Sequence, residues 1–273
     1  MSSKCNRHSR FPMVATILTI LFLYIPLLQI AIDSFNKSKF GGRWSGFSLK
    51  WYNELFHEQN IWNALLTTFI VAIISTAIST VLGTLSAMAL HRSKSRLRGI
   101  YYAQIETQLV VPDILTGISL LLLFVTVFSA LKKWFGIDLE LGMATIIIAH
   151  VTFCLCYVTM VVLARLQEFD MSLLEAAQDL GASALYTFFH VTLPLIAPGI
   201  IAGALFAFTL SIDDFVITFF VKGAGDTTLP IHIQAAIRRG TPAVINALSV
   251  ISIIVTFILV CITHKLMNKQ PNP

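Results

Sequence analysis

Long apolar stretches dominate this chain and restrict what it can fold into. A transmembrane helix needs about 20 predominantly apolar residues to cross roughly 30 Å of hydrocarbon. Six stretches meet this requirement, at residues 12–32, 64–90, 105–130, 142–164, 198–221 and 243–262. Because the bilayer core offers no water to backbone polar groups, such stretches must be helical. The sequence therefore predicts an all-α polytopic membrane protein with six transmembrane helices.

The composition agrees with a chain surrounded by membrane lipid. Hydrophobic residues make up 56% of the 273 positions and charged residues only 12%, whereas soluble domains are about 25% charged. The net charge of +5 comes from basic residues in tails and loops, where membrane topology explains them, so we expect no nucleic-acid partner. The first apolar stretch is longer than a signal-peptide core and lacks a small-residue cleavage site, which favours an uncleaved first span.

The distribution of basic residues predicts the orientation. Residues 91–99 form a short loop with four Lys or Arg and no acid, and the N-terminal tail is also basic. Cytoplasmic loops carry such an excess, and six spans place both ends on one side. We therefore expect both termini in the cytoplasm. The external segment contains Trp44, Trp51 and Trp62, which we expect to anchor at the lipid headgroups.

The chain divides, on this topology, into three parts. Residues 1–62 hold the cytoplasmic N-tail, the first span and the first external loop. Residues 63–262 form a transmembrane core that contains a cytoplasmic loop at 165–194, and residues 263–273 are a cytoplasmic C-tail.

The loop at 165–194 carries an unusual polar segment, EAAQDLGASALYTFFHVTLP, which begins at Glu175. Ser172 and Glu175 have the spacing of a capping box that starts a helix. Gly181 suits the left-handed position that ends it, and Ser183 can cap a second short helix. Two prolines are predicted to end that helix before the next span, Pro194 and Pro198. The sequence thus predicts a helix-turn-helix facing the cytosol.

The polar face of this loop is acidic, with Glu168, Asp170, Glu175 and Asp179 against Arg165 alone. An amphipathic linker that rests on a membrane favours Lys and Arg on its polar face. The acidic face therefore favours a docking site for a basic or polar protein partner, with a plain surface linker as the alternative.

The spacing of this segment is more specific than its charge. Glu175-Ala176-Ala177, three residues, Gly181, nine residues, Val191, Thr192 and Leu193-Pro194 resembles the E-A-A-x3-G-x9-I-x-L-P signature of membrane subunits of bacterial ATP-binding cassette (ABC) importers, with Val191 in place of Ile. The resemblance implies the type I ABC importer permease fold. It also implies that the loop is a coupling helix seated in a cleft of an ATPase subunit. The residues that would contact this partner are Glu175, Ala176, Ala177 and Gly181.

The chain contains no G-x-x-x-x-G-K-[ST] phosphate loop, the element that cradles nucleotide phosphates. We therefore expect a transport subunit and not an enzyme. No cofactor is expected in this chain, because a separate ATPase subunit would bind the ATP.

Four carboxylates lie within the predicted spans, namely Glu106, Asp113, Asp213 and Asp214. A carboxylate in a membrane costs about 2.5–3.5 kcal/mol on insertion scales, so it normally faces a cavity or a partner charge. Asp213 lies about 20 Å from the start of its span near Gly199, at 1.5 Å per residue. These residues are candidates for a pathway that carries a cationic substrate. The alternative is that they form structural hydrogen bonds or cap a broken span.

The region from Glu175 onward, including Leu210-Ser-Ile-Asp-Asp-Phe-Val-Ile-Thr-Phe-Phe220, resembles the spermidine/putrescine importer permeases of the PotC type. The resemblance covers nearly the full chain and implies polyamine import across the bacterial inner membrane. It implies an ABC ATPase subunit dimer, a second homologous permease subunit and an extracytoplasmic polyamine-binding protein as partners. The alternatives are another ABC substrate, such as iron, an opine or an amine, an ion-coupled secondary transporter, or a non-transporting scaffold.

Two further features have local interpretations. His150 has no second metal ligand at i+3 or i+4, so we interpret it as a packed or hydrogen-bonding neutral histidine. Gly199 and Gly203 form a G-x-x-x-G pair that permits close helix approach, either within the fold or against a second permease.

Overall fold

A computed structural model describes residues 10–39, 43–93, 97–168, 172–240 and 243–267. These residues are almost entirely helical, which confirms the predicted all-α class. The helices are α1 (Arg10–Ser34), α2 (Lys50–His57), α3 (Gln59–Arg92), α4 (Leu97–Val110), α5 (Asp113–Phe135), α6 (Met143–Gln167), α7 (Ser172–Asp179), α8 (Ala184–Thr187), a π-helical segment (Phe188–Thr192), α9 (Leu193–Asp213), α10 (Val216–Val221), α11 (Leu229–Arg238) and α12 (Ala243–Met267).

Five helices in the described part of the chain are long and apolar enough to cross a membrane. They are Pro12–Ser34, Gln59–Arg92, Asp113–Phe135, Met143–Gln167 and the continuous Ala184–Asp213. The sixth predicted span falls on α12, where Ala243–Ile254 is a shorter apolar helix. Each predicted span thus corresponds to an apolar helix, but the bounds of two of them were wrong.

The third predicted span, residues 105–130, is not one helix. The chain breaks at Val111 and Pro112, between α4 and α5. Pro112 is extended, with φ −57° and ψ 136°, and a proline disfavours helical geometry in the residue before it. The break therefore puts Glu106 on α4 and makes Asp113 the first residue of α5.

The fifth predicted span, residues 198–221, was wrong at both ends. The helix begins at Ala184 and is continuous to Asp213, so Pro194 and Pro198 do not end it. The π-helical segment lies directly before them, and the Leu193 amide donates to the Phe188 carbonyl five residues earlier. This wider turn shifts the hydrogen-bond register just where Pro194 has no amide to donate. The helix ends instead at Asp213, and α10 follows as a separate element.

The chain divides into two compact units, one formed by residues 1–61 and 233–273 and the other by residues 62–232. In the first unit, α12 packs against both α1 and α2. The loop before α2 is organised by Asn36, which is 1% exposed and whose side-chain oxygen accepts from the Ser45 amide. The Trp51 indole donates to the Asn36 carbonyl at 2.7 Å. Trp51 is therefore buried, and its predicted anchoring at the headgroups is wrong.

In the second unit, α6 is the central helix. It packs against α4, α5, α9 and α10. Its buried side chains lie on several faces and include Ala149, Phe153, Val158 and Leu163. A helix that is apolar all round is typically surrounded by other helices, and α6 has that position here.

Glycines set how closely two helices approach α6. A Cβ added at Gly83 of α3 would lie 2.8 Å from Val158 Cβ, and one at Gly199 of α9 would lie 2.8 Å from Arg165 Cβ. At Gly203 the added Cβ would be 3.4 Å from Val158 Cγ1. The Gly199 and Gly203 pair therefore packs inside the chain, which resolves the alternative that the sequence left open.

Replacing Gly83 by alanine is expected to destabilise this packing. The new methyl would overlap Val158 on α6, and overpacking of this kind costs roughly 1–3 kcal/mol. Gly99→Ala on α4 is the matched control, because none of the atoms that the structure describes lies within 4 Å of its added Cβ. We expect Gly83→Ala to lower the thermal unfolding midpoint in detergent and Gly99→Ala to leave it unchanged or raise it. Equal midpoints for the two variants would contradict the close approach of α3 and α6.

Candidate functional site

The break between α9 and α10 separates the two adjacent aspartates. Asp214 has an extended backbone, with φ −66° and ψ 122°. Asp213 is the last helical residue before it, so the regular side-chain arrangement of α9 ends between the two aspartates. Accordingly the Asp214 side chain is only 8% exposed, whereas Asp213 is exposed.

The Asp214 carboxylate caps the first turn of α10. Its Oδ1 accepts from the Ile217 amide at 3.2 Å, and its Oδ2 accepts from the Thr218 amide at 2.8 Å and the Thr218 hydroxyl at 2.7 Å. A capping carboxylate satisfies amides that the helix leaves free and interacts favourably with the helix dipole. Asp214 therefore has the role that the sequence analysis gave as an alternative, that of a helix cap at a broken span. Its predicted contact with substrate stays a prediction.

His150 joins this cap to neighbouring helices. Its Nε2 lies 2.8 Å from Thr218 Oγ1 and 3.3 Å from Asp214 Oδ2. Its Nδ1 lies 2.7 Å from Ser211 Oγ on α9. The imidazole is 1% exposed, so His150 is a buried hydrogen-bonding residue, as its sequence context indicated.

The hydrogen bonds continue into α3, where Ser75 Oγ lies 3.1 Å from Ser211 Oγ. We call Ser75, Ser211, His150, Thr218 and Asp214 the buried polar chain, which connects α3, α9, α6 and α10. Sequence reasoning did not identify its three hydroxyl residues. The available signal was the single histidine of the predicted span at residues 142–164, in a chain whose apolar helices carry many serines and threonines. That signal does not say which hydroxyls contact the histidine.

The other three predicted pathway carboxylates are exposed on the chain, namely Glu106, Asp113 and Asp213. None of the described residues donates a hydrogen bond to them. Asp113 opens α5, and one turn later the added Cβ of Gly117 would lie 3.4 Å from Ile217 Cα on α10. Farther along, Val125 borders the same small cavity as Lys222.

Helices α5 and α10 thus run in parallel. Asp113 opens α5, Asp213 ends α9 and Glu106 lies on α4, so the three exposed carboxylates belong to three different helices. The described residues contain no group of three or more His, Cys, Asp or Glu placed to hold a metal ion.

The polar segment at residues 172–194 forms the predicted helix-turn-helix. Helix α7 starts at Ser172, and Gly181 has a left-handed φ of +83°. The Ala182 amide donates to the Ala177 carbonyl at 3.1 Å, the bond that closes a glycine-ended helix. The Ser183 hydroxyl caps α8 by accepting from the Tyr186 amide at 3.3 Å. The side chain of Glu175, and so the predicted capping box, lies outside the described residues, as does Asp170.

Apolar side chains of this segment face outward. The exposed fractions reach 89% for Leu180 and 74% for Leu185. Three more apolar residues are exposed on the same segment, Leu173, Tyr186 and Phe189. Ala176 is also exposed, and Ala177 is partly so. Contiguous exposed apolar residues with a polar rim are typical of a protein or membrane contact.

Comparison with known proteins connects this geometry to a family. Residues 79–269 match the family model described as "Binding-protein-dependent transport system inner membrane component". Over 243 residues the chain is 44% identical to the putrescine transport system permease protein PotI of Escherichia coli K12, covering 88% of this chain and 85% of that protein. It is 36% identical over 249 residues to the spermidine/putrescine transport system permease protein PotC of Haemophilus influenzae, covering 91% and 93%.

Solved structures share the fold at lower identity. A chain from a bacterial ABC transporter involved in the import of the acidic polysaccharide alginate matches with a TM-score of 0.70 and 17% identity, covering 97% of this chain and 99% of that chain. A chain from the MetNI methionine ABC transporter matches with a TM-score of 0.57 and 16% identity, covering 81% and 97%. These similarities concern the fold, which agrees with the importer permease fold expected from the sequence.

Substitutions of the two adjacent aspartates are expected to separate their roles. Asp214→Ala removes a cap worth about 0.5–2 kcal/mol and leaves buried partners unpaired at about 1–3 kcal/mol. Asp213→Ala changes an exposed residue and should stay within about 0.5 kcal/mol of wild type. Thermal unfolding of the two detergent-solubilised variants measures the difference. A stable Asp214→Ala protein would show that the cap does not hold α10.

Proposed function

Because the chain belongs to the family of binding-protein-dependent transport system inner membrane components, we propose that it is the permease subunit of an ATP-driven importer of polyamines. The observation that carries the substrate assignment is the 44% identity with a putrescine permease across 88% of the chain. The exposed carboxylates of Asp113 and Asp213 support it, because the ammonium groups of a polyamine are natural partners for carboxylates in an apolar setting.

The chain is the membrane component of a transport system, and its proposed partners supply the other activities. A dimer of ABC ATPase subunits binds and hydrolyses ATP, so the permease itself needs no cofactor. A second, homologous permease subunit completes the pathway, and an extracytoplasmic binding protein delivers the polyamine. The exposed apolar residues of the segment at 172–194, among them Leu180 and Leu185, support the docking of an ATPase subunit there.

We place both termini and the segment at 172–194 on the cytoplasmic side of the inner membrane. The basic loop at residues 91–99 supports this orientation. ATP and the ATPase subunits are cytoplasmic, so a coupling segment must face that side. The break after Asp213 then lies toward the external half of the membrane.

Mechanical coupling in this proposal follows the continuous helix from Ala184 to Asp213. At 1.5 Å per residue its 30 residues extend about 45 Å. One end joins α7 through the turn at Gly181, and the other end carries Asp213. Glu175, Ala176, Ala177 and Gly181 are the proposed ATPase contacts, and small side chains at three of these positions permit a close approach.

When the ATPase subunits close on ATP and reopen after hydrolysis, α7 moves with them and the long helix transmits the displacement. Access to the pathway then alternates between the two sides of the membrane, and the polyamine leaves to the cytosol. Asp113 and Asp213 are the foremost candidates to meet its ammonium groups. Glu106 and the buried Asp214 remain predicted members of the pathway.

Restoring the chain to cells that lack it but retain its partners tests the substrate directly. We expect uptake of labelled putrescine or spermidine to return, and to stop when cellular ATP is depleted while the ion gradients are maintained. Unchanged uptake would remove polyamines as the substrate. Uptake that follows the ion gradient and not ATP would instead establish an ion-coupled transporter.

Substitution of Gly181 tests the coupling segment. A non-glycine residue in the left-handed conformation costs roughly 1–2 kcal/mol, and asparagine tolerates that conformation better than alanine. Among the described residues of the chain, no atom lies within 4 Å of an added Cβ at this position, so the cost is conformational. We expect Gly181→Ala to lower ATP-dependent uptake severalfold and Gly181→Asn to retain most of it.

Two other outcomes of this test are informative. Full uptake by Gly181→Ala would contradict a need for the left-handed turn. Equal loss in both variants would attribute the effect to close contact with the ATPase subunit and not to backbone conformation.

A further inference from the structure

We propose that His150 is a positioning residue for Asp213, acting through the buried polar chain without touching the substrate. The inference rests on the proposed function, in which the Asp213 carboxylate meets an ammonium group of the polyamine. Its physical basis is that one imidazole bonds to both sides of the helix break that determines where Asp213 points.

The break between α9 and α10 is short, so the angle between the two helices depends on the few hydrogen bonds around it. Helix α9 ends at Asp213, Asp214 is extended, and α10 begins at Val216. In an uninterrupted helix the two aspartates would be about 100° apart around the axis. The extended Asp214 interrupts that arrangement, and its side chain is buried while Asp213 is exposed. The direction of Asp213 therefore depends on holding Asp214 inward and α10 at a fixed angle to α9.

His150 is the described residue that ties both helices to α6 at this point. Its Nδ1 bonds Ser211, two residues before Asp213 on α9. Its Nε2 bonds Thr218, in the first turn of α10, and lies 3.3 Å from the Asp214 carboxylate. At the other end of α10, the Thr145 hydroxyl of α6 donates to the Val221 carbonyl at 2.7 Å. Helix α10 is thus held to α6 at both ends.

Within the buried polar chain, each hydrogen-bond donor can be matched with an acceptor. The Thr218 hydroxyl donates to Asp214 Oδ2, so the Thr218 oxygen is left to accept from His150 Nε2–H. At the other ring nitrogen, Nδ1 bonds the Ser211 hydroxyl at 2.7 Å. With every polar group bonded in a low-dielectric interior, such a network is rigid, and losing one member leaves several others unsatisfied.

Burial excludes a direct role for the imidazole. His150 is 1% exposed and lies on the protein side of the break, whereas Asp213 is on the exposed side. In this inference, loss of His150 affects the substrate indirectly, by reorienting Asp213.

The main experiment is a double-mutant cycle on ATP-dependent putrescine uptake by the full transporter at saturating binding protein. We expect His150→Ala to lower uptake at least fivefold when Asp213 is intact, and less than twofold when Asp213 is already Asn. Two residues that act through one interaction show this non-additivity. His150→Gln keeps a donor toward Thr218 and is expected to restore part of the activity.

The matched control is Thr159→Val. Thr159 is also fully buried on α6, but within the described part of the chain its hydroxyl bonds only the Leu155 carbonyl of its own helix. The Thr159→Val substitution removes a buried polar group from α6 without affecting the break between α9 and α10, so uptake should stay within twofold of wild type.

A second measurement does not depend on the substrate. In a chain whose native cysteines are replaced by alanine, Asp213→Cys is treated with a cationic thiol reagent. Adding His150→Ala is expected to change the modification rate at least fivefold, and adding Thr159→Val less than twofold.

The outcomes separate this inference from the proposed function. If the wild-type chain restores no polyamine uptake, the proposed function fails and the thiol measurement still decides whether His150 positions residue 213. An equal loss from His150→Ala in both Asp213 backgrounds, or an unchanged modification rate, overturns the positioning role while the importer function stands. Wild-type uptake by Asp213→Asn overturns the inference as well.

Discussion

The lack of water in the bilayer is the constraint on which the rest of this structure depends. Every backbone amide and carbonyl there must be bonded within the protein, so the chain is helical wherever it crosses. A break is tolerated only where side chains replace the missing bonds. The break after Asp213 meets this condition because the Asp214 carboxylate caps α10, the Thr218 hydroxyl donates to that carboxylate, and His150 bonds Thr218. A polar group that is costly in lipid thereby stabilises an irregular segment.

The same continuous helix joins the two regions of functional interest. It begins beside the turn at Gly181 and ends at Asp213, and glycines at positions 199 and 203 seat it closely against α6. Close packing of this kind resists local bending, as the proposed coupling along this helix requires. The π-helical segment before Pro194 preserves this continuity by changing the hydrogen-bond register where the proline has no amide.

Sequence reasoning predicted well the features of the fold and site that depend on residues close together in the chain. The apolar stretches identified the helices, and the positions of Gly181 and Ser183 in the turn follow from backbone preferences that act within a few residues. The prolines were misjudged, because a proline ends a helix only if neighbouring turns cannot adjust. The packing of Trp51 was also missed, since its indole bonds a carbonyl 15 residues away in sequence.

By itself, the sequence determined the class of the protein, the number and approximate position of its apolar helices, and the turn in the segment at 172–194. These properties arise from transfer free energies and local conformational preferences, which act over one helix or one turn. Only the tertiary structure decided which of two adjacent aspartates is buried. That outcome depends on His150, Ser211 and Thr218 meeting across three helices, and residues about 60 positions apart in the chain become neighbours only when the helices have packed.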